Sequence, residues 1–285
     1  MMPAAMVGFV RQMRLCRILR MRLCPLLLMS LALAGSSLAQ RPGFRISPDG
    51  GPVYVESDFT RTFPEPVNAA SSLAFGAIVV FWAIRLRGRY RQYAFLSACL
   101  PLFAIGSLGG LLYHTFRTER AFLVMDFLPI ALLLLATAVW MWWHVLRPRW
   151  AIPAVVVPMV VLPRLTMANL GIARPLVIMI GYSSMAALII PPAVILLIRT
   201  RWAHWRLPAA AVVLFVLAIT ARQLDALAMD VETVRRQMVA LVPIGTHFLW
   251  HLFGAAAAFC QSWYVYRLTD VLRKDAPTSS NRSAA

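Results

Sequence analysis

The feature that most constrains this chain is a series of apolar runs, each close to the roughly 20 residues a helix needs to cross a bilayer, joined by short arginine-bearing loops. The runs fall at 67–86, 92–114, 121–146, 151–170, 174–198, 207–226 and 241–266. In hydrocarbon every backbone N–H and C=O must find a partner, and a helix satisfies them within its own segment. The runs are too long and too uniformly apolar for barrel strands. Hydrophobic residues make up 60% of the chain and charged residues 14%, against roughly 25% charged in a soluble domain. The predicted architecture is therefore all-α and integral to the membrane, a seven-transmembrane helix bundle over 67–266.

Ahead of the bundle, residues 1–39 carry the marks of a secretory signal peptide. A basic stretch (Arg11 to Arg22) precedes the short apolar run PLLLMSLALAG, and Ser37 and Ala39 offer small residues before a cleavage point at Gln40. Residues 40–66 are polar and interrupted by Pro42, Pro48, Gly50, Gly51 and Pro52, which predicts an exported loop. Its acidic residues, Asp49, Glu56, Asp58 and Glu65, are dense for a chain with only 11. Small residues in VNAASSLAFG permit close helix packing at the start of the first span. Pro191 and Pro192 predict a kink or break in the fifth. The tail, 267–285, ends in a polar stretch expected to be disordered.

The net charge of +17 is almost all arginine. In a soluble protein it would suggest nucleic-acid binding, but here it sits in short loops and no aromatic-interleaved basic domain accompanies it. Arg85, Arg87, Arg89 and Arg91, then Arg147 and Arg149, then Arg199, Arg201 and Arg206, then Arg267, Arg273 and Lys274 all fall on one side. The positive-inside rule makes that side cytoplasmic, with the mature N-terminus outside and the C-terminus inside. A signal peptide on such a protein suits a bacterial inner membrane. The four cysteines form no Cys-x-x-Cys pair, so neither a thiolate zinc site nor a disulfide framework is implied.

Chemistry enters with PIGTHFLWHLFGAAAAF (243–259), an apolar stretch bearing His247 and His251 at i, i+4. That spacing sets both rings on one helical face, where two neutral imidazoles can share a metal ion. Ionisable groups inside a bilayer are costly, so a pair points to function. His114 ends the second span on the outer side, and Asp126 lies on the order of 8 Å into the third. Four ionisable side chains from three helices are thus expected in one layer. Three histidines with an open position is the arrangement of a catalytic zinc site, where the ion acidifies water and polarises a carbonyl. Asp126 would carry protons in such a site or orient a histidine. Asp225 and Arg222 share a face at i, i+3, as a structural ion pair or as support for a metal-binding histidine. His144 and His204 fall at the opposite ends of their spans and are expected at the interface.

At these residues the sequence resembles the alkaline ceramidase family, seven-span metal-dependent lipid hydrolases related to the adiponectin receptors. The matching pieces are EPVNAASSLAF (65–75), GGLLYHTF (109–116), MDFLPI (125–130) and PIGTHFLWHLF (243–253), in family order. The resemblance implies that His114, His247 and His251 bind zinc and that Asp126 is the catalytic carboxylate. It also implies a calcium site built from Glu56, Asp58, Glu65 and the Tyr54 carbonyl. Three positions depart from the pattern. Gly110 stands where the family has a serine one turn before the first zinc histidine, leaving a water, Ser107 or Ser71 to supply a hydroxyl. Val53 replaces the first acidic calcium ligand, and the His114–Asp126 spacing is one residue longer.

The expected function is zinc-dependent hydrolysis of the amide bond of a ceramide-like membrane lipid to a fatty acid and a sphingoid-type amino alcohol. Rival readings are an esterase on other acyl lipids and a non-catalytic receptor or scaffold with a degenerate metal site, which Gly110 favours. A transporter would need a polar path through the inner halves of the spans, where few polar residues occur. The partner implied is the lipid substrate; nothing in the sequence suggests nucleic acid or a protein partner.

Overall fold

Pro66 opens the first helix at a position where a missing N–H leaves no bond unmade, and Arg85 ends the apolar run that follows. The same alternation of apolar run and polar punctuation repeats along the chain. The computed structural model describes Ser47, residues 49–169 and residues 174–274, side chains at 162–164, 166–169 and 174–179 excepted. The signal peptide expected over 1–39, the first residues of the exported loop and the tail after Lys274 lie outside the described residues.

Among the described residues there are eight helices: α1 (Pro66–Arg85), α2 (Ala94–Phe116), α3 (Arg120–Val145), α4 (Ala151–Asn169), α5 (Arg174–Arg199), α6 (Arg206–Asp230), α7 (Glu232–Leu241) and α8 (His247–Lys274). Five described stretches are long and apolar enough to cross a membrane: α1, α2, α3, Ile180–Arg199 of α5, and α6. Among the described residues the regular structure is all helical, as in a helical membrane protein.

Two differences from the expected spans matter. The seventh was expected from 241, but α8 starts at His247, because Pro243 and Gly245 break the chain there. Gly245 takes φ 74°, a left-handed conformation that other residues rarely adopt. The residues before that break were read as a loop, yet Glu232–Leu241 form α7, an amphipathic helix with no buried side chain. The third difference is smaller: Pro191 and Pro192 do not break α5, which runs through them. Prolines are tolerated in membrane helices when neighbouring groups satisfy the freed carbonyls.

The packing is organised by α8. It lies against α1 and α6, while α2 packs on α1 and α3, and α5 on α3 and α4. Two apolar clusters form, and α8 belongs to both. Ala255 and Tyr266 meet Ile78 and Trp82 of α1, Leu86 just after it, and Leu96, Cys99 and Phe103 of α2. Tyr264 and Leu268 meet Ala138 and Met141 of α3 and Leu188 and Leu196 of α5. A helix so enclosed can carry polar groups that a lipid-facing helix cannot. Ser262, for example, accepts the Trp82 indole N–H at 2.8 Å.

Candidate metal centre

The centre begins with the way α8 starts. A helix leaves its first N–H groups without partners, and a negative side chain there satisfies them. Asp225 of α6 supplies it from across the helix interface. Its Oδ1 accepts the N–H of Thr246 at 2.8 Å and of His247 at 3.2 Å, and its Oδ2 accepts the N–H of Val55 at 3.2 Å. A Cβ on Gly245 would lie 2.3 Å from that Oδ1, so the glycine is what lets the carboxylate in. Asp225 thus fixes the first turn of α8 and fastens the loop before α1 above it.

That first turn carries His247 and His251, and the last turn of α2 carries His114. The three rings are buried, and one ligating nitrogen from each lies within 4.8 Å of the others. His114 Nε2, His247 Nδ1 and His251 Nε2 have no protein partner. Unpaired buried polar atoms are rare and call for an explanation; three converging imidazole nitrogens are a set that could hold a metal ion.

The opposite nitrogens fix the tautomers. Glu65 holds its charge, since bonds from His114, Arg117 and Ser57 outweigh burial and keep its carboxyl below the usual range. A carboxylate only accepts, so His114 Nδ1–H donates to Glu65 Oε2 at 2.5 Å, and Nε2 is the nitrogen left to face the other two rings. His251 Nδ1 faces the Asn68 carbonyl at 3.1 Å, another pure acceptor, and the Ser71 Oγ at 2.8 Å. Ser71 donates its own proton to the Asn68 carbonyl at 2.9 Å. His251 therefore also carries its proton on Nδ1 and presents Nε2 as a ligand. Such partners orient metal-binding histidines and raise their basicity. Tyr54 closes the centre from above, its ring stacked on His247 with centroids 3.7 Å apart.

Asp126 arrives beside the histidines through a close helix contact. A Cβ on Gly109 would lie 2.3 Å from the Met125 carbonyl carbon, so a glycine there is what lets α3 come this near to α2. At the next residue, a Cβ on Gly110 would lie 2.7 Å from both Asp126 Oδ1 and Ser72 Oγ. The gap left by the missing serine is therefore filled by these two side chains. A small pocket is lined by Ser72, Asp126 and His251 together with Phe75, Phe103, Ile130 and Leu133. Ser107 does not line it: its hydroxyl donates to the Ser72 carbonyl at 3.0 Å. Ser71 is engaged with His251, as described. Arg222 forms no ion pair with Asp225 and lies instead 5.7 Å from the Trp250 ring centre.

The carboxylates expected to bind calcium do not meet at one point. Glu56 accepts the N–H groups of Val67 at 2.6 Å and Asn68 at 2.8 Å, at the start of α1. Asp58 faces outward with Arg61 and Thr60. Glu65 stands between His114 and Arg117. The Tyr54 carbonyl accepts the Ser57 N–H at 3.1 Å. Among the described residues the one group of three that could share an ion is the histidine set. Its donors fit zinc, whereas the calcium set does not fit its ion. His144 lies apart from the centre, bonded to the Trp140 carbonyl.

Sequence reasoning missed Ser72 and Arg117. Asn68, Ser71 and Ser72, at i, i+3 and i+4, make a polar stripe on an apolar helix, which was the available signal for the first. Arg117 had a weaker one, an arginine three residues after His114.

Comparison with known proteins agrees with this geometry. No curated protein matches the sequence. The profile of the family described as Ceramidase matches residues 54–282, which takes in the loop before α1 from Tyr54 onward, the three clustered histidines, Asp126 and Asp225. The chain belongs to the ceramidase family.

Proposed function

We propose that the protein is a zinc-dependent membrane hydrolase that cleaves the amide bond of ceramide-like lipids to a fatty acid and a long-chain amino alcohol. The observation that carries this reading is the convergence of three buried histidine nitrogens, with Asp126 and Ser72 beside His251 in a small pocket whose other side chains are apolar. A lipid amide needs such surroundings: polar groups at the scissile bond and hydrocarbon alongside the acyl chain.

His114, His247 and His251 would hold the zinc. When bound, it supplies Lewis acidity, polarising the carbonyl and making water acidic enough to attack near neutral pH. Asp126 takes the proton from the attacking water and passes it to the nitrogen as the C–N bond breaks. The acyl carbon gains oxygen, the amine gains hydrogen, and no further reactant is needed. Glu65, Ser71 and the Asn68 carbonyl hold the histidines in the ligating tautomer, and Tyr54 screens the centre from above. Phe75, Phe103, Ile130 and Leu133 make the rest of the pocket apolar, as contact with an acyl chain requires.

In the membrane, α4 and α8 join the five apolar helices as spans, giving seven. At 28 residues α8 is about 42 Å long, enough to cross, and its polar groups are enclosed by its neighbours. The arginine-rich loops then lie in the cytoplasm and the metal centre near the outer face of the plasma membrane.

The test is zinc content and lipid cleavage of detergent-purified protein. Wild type should carry about one zinc per chain and release fatty acid from a ceramide, and His247→Ala should lose both. Asp126→Asn should keep the zinc and lose activity by about 10²-fold or more. Folded wild type that takes up no zinc would overturn the mechanism, and cleavage of esters but not amides would overturn the substrate class.

A further inference from the structure

We propose that the Arg117 guanidinium serves as a built-in cation that ties the loop before α1 to the histidine centre, so that the protein needs no calcium. The inference rests on the reading of His114 as a zinc ligand, and Arg117 is a positioning residue within it.

The loop before α1, up to its cap residue Glu65, turns four oxygen-bearing groups toward one point: the carboxylates of Asp49 and Glu65, the Ser47 hydroxyl and the Pro52 carbonyl. Hard oxygen donors of this kind suit a hard cation. Here the point is filled. Arg117 Nε donates to Asp49 Oδ2 at 2.7 Å, Nη2 to Ser47 Oγ at 2.7 Å and to the Pro52 carbonyl at 2.8 Å, and Nη1 to Glu65 Oε1. The Tyr113 ring covers the guanidinium, 4.4 Å from its centre. The side chain is fully buried, as are those of Asp49 and Glu65. A planar fork with five donors matches such a set, and its charge cannot be lost at working pH.

The backbone is shaped for this delivery. Arg117 follows the last residue of α2 and takes φ 55°, ψ 30°, with its N–H on the Tyr113 carbonyl. Glycine usually fills that left-handed position after a helix. A side chain is kept there despite the strain, and it turns back under the loop.

The consequence reaches the metal through a single carboxylate. Glu65 gives Oε2 to His114 and Oε1 to Arg117 and Ser57. One end orients the ligand and the other is anchored by the guanidinium. The cation that locks the loop thus also locks His114.

The experiment uses the full chain in detergent at fixed zinc, comparing calcium-depleted buffer with millimolar calcium, alongside equilibrium binding of radioactive calcium. Wild type should bind no calcium tightly and should melt and cleave lipid equally in both buffers. Arg117→Met should weaken zinc affinity tenfold to a hundredfold, the range for lost partners of metal ligands, and Arg117→Lys should fall between. Arg117→Gly relaxes the backbone but removes the guanidinium, so it should weaken zinc as Arg117→Met does. Calcium-dependent melting or activity in wild type overturns the proposal, as does wild-type zinc affinity in Arg117→Met. If the variants do not fold, calcium binding by wild type still decides it. If wild type binds no zinc, the reading of the histidines falls, while the calcium measurements test the guanidinium's place on their own.

Discussion

Glu65 Oε2 lies 2.5 Å from His114 Nδ1, while Oε1 of the same carboxylate takes a guanidinium N–H from Arg117. His114 and Arg117 hold opposite ends of one anion, with Ser57 joining Arg117 at Oε1, and both ends must accept. Glu65→Gln keeps the shape but turns an amide N–H₂ toward one of them. Zinc affinity should then fall about tenfold or more, and the melting temperature should drop because a buried arginine has lost a charged partner. Competition with a coloured zinc chelator measures the first and a thermal melt the second. An unchanged zinc affinity would mean that His114 is oriented without the carboxylate.

Asp225 makes a second prediction, about α8. Its carboxylate binds three backbone N–H groups from two separate segments. Asp225→Asn offers one accepting oxygen instead of two, and charge-assisted bonds of this kind are worth about 1.5–3 kcal/mol each. The variant should melt lower by the equivalent of about 2 kcal/mol and hold zinc less tightly, since His247 sits in the turn being capped. Gly245→Ala should do at least as much harm, because its Cβ would lie 2.3 Å from the Asp225 carboxylate. A variant at either position with wild-type melting and zinc binding would show that the cap is dispensable.

The helices were legible because all but the sixth apolar run end at or just before a glycine or arginine, and α1 to α6 begin and end within a few residues of expectation. The histidines were legible for a related reason. The i, i+4 pair fixes a face, and counting residues along each helix fixes a depth. What could not be read was which faces of different helices meet. Ser71, Ser72 and Ser107 are all within reach of the site by depth, yet the crossing of α1 over α2 turns Ser72 into the pocket and commits Ser107 to a backbone carbonyl. The clasp of Asp49, Glu65 and Arg117 joins segments far apart in sequence, and no periodicity announces such a contact. Amphipathic α7 escaped notice because its charges hid it among loop residues.

The serine question gives a third prediction. Restoring a serine at Gly110 is the obvious repair for a site that lacks its usual hydroxyl, but the space is taken. A Cβ there would lie 2.7 Å from Ser72 Oγ and from Asp126 Oδ1, and 3.0 Å from Ser72 Cβ. Gly110→Ser should therefore lower turnover, and displacement of a catalytic group by about 1 Å can cost 10²-fold. Removing Ser72 makes room, so Ser72→Gly should soften the effect, and the double variant should be more active than Gly110→Ser alone. A double-mutant cycle on fatty-acid release measures the coupling. Additive effects would mean that the two residues do not share the space.

The last prediction concerns acid. Burial opposes the charge on Asp49, but bonds from Arg117, Ser47 and the Gly51 N–H outweigh it and hold the carboxyl below its usual range. The unfolded chain binds this proton near the ordinary value of about 3.9, the folded protein only at lower pH. A group depressed on folding contributes its stability above the unfolded value and loses it as pH falls through the folded one. Asp49→Asn should thus melt well below wild type at pH 7, by the equivalent of about 3 kcal/mol for a buried ion pair broken on one side. The gap should begin to narrow as pH falls through about 4, where the unfolded chain takes up the proton, and keep narrowing until the folded protein binds it at its lower value. Glu56, whose carboxyl burial pushes up, titrates in both proteins and drops out of the difference. Melting curves of the two proteins between pH 7 and pH 3 measure it, and a gap that stays constant would show that Asp49 carries no charge in the clasp.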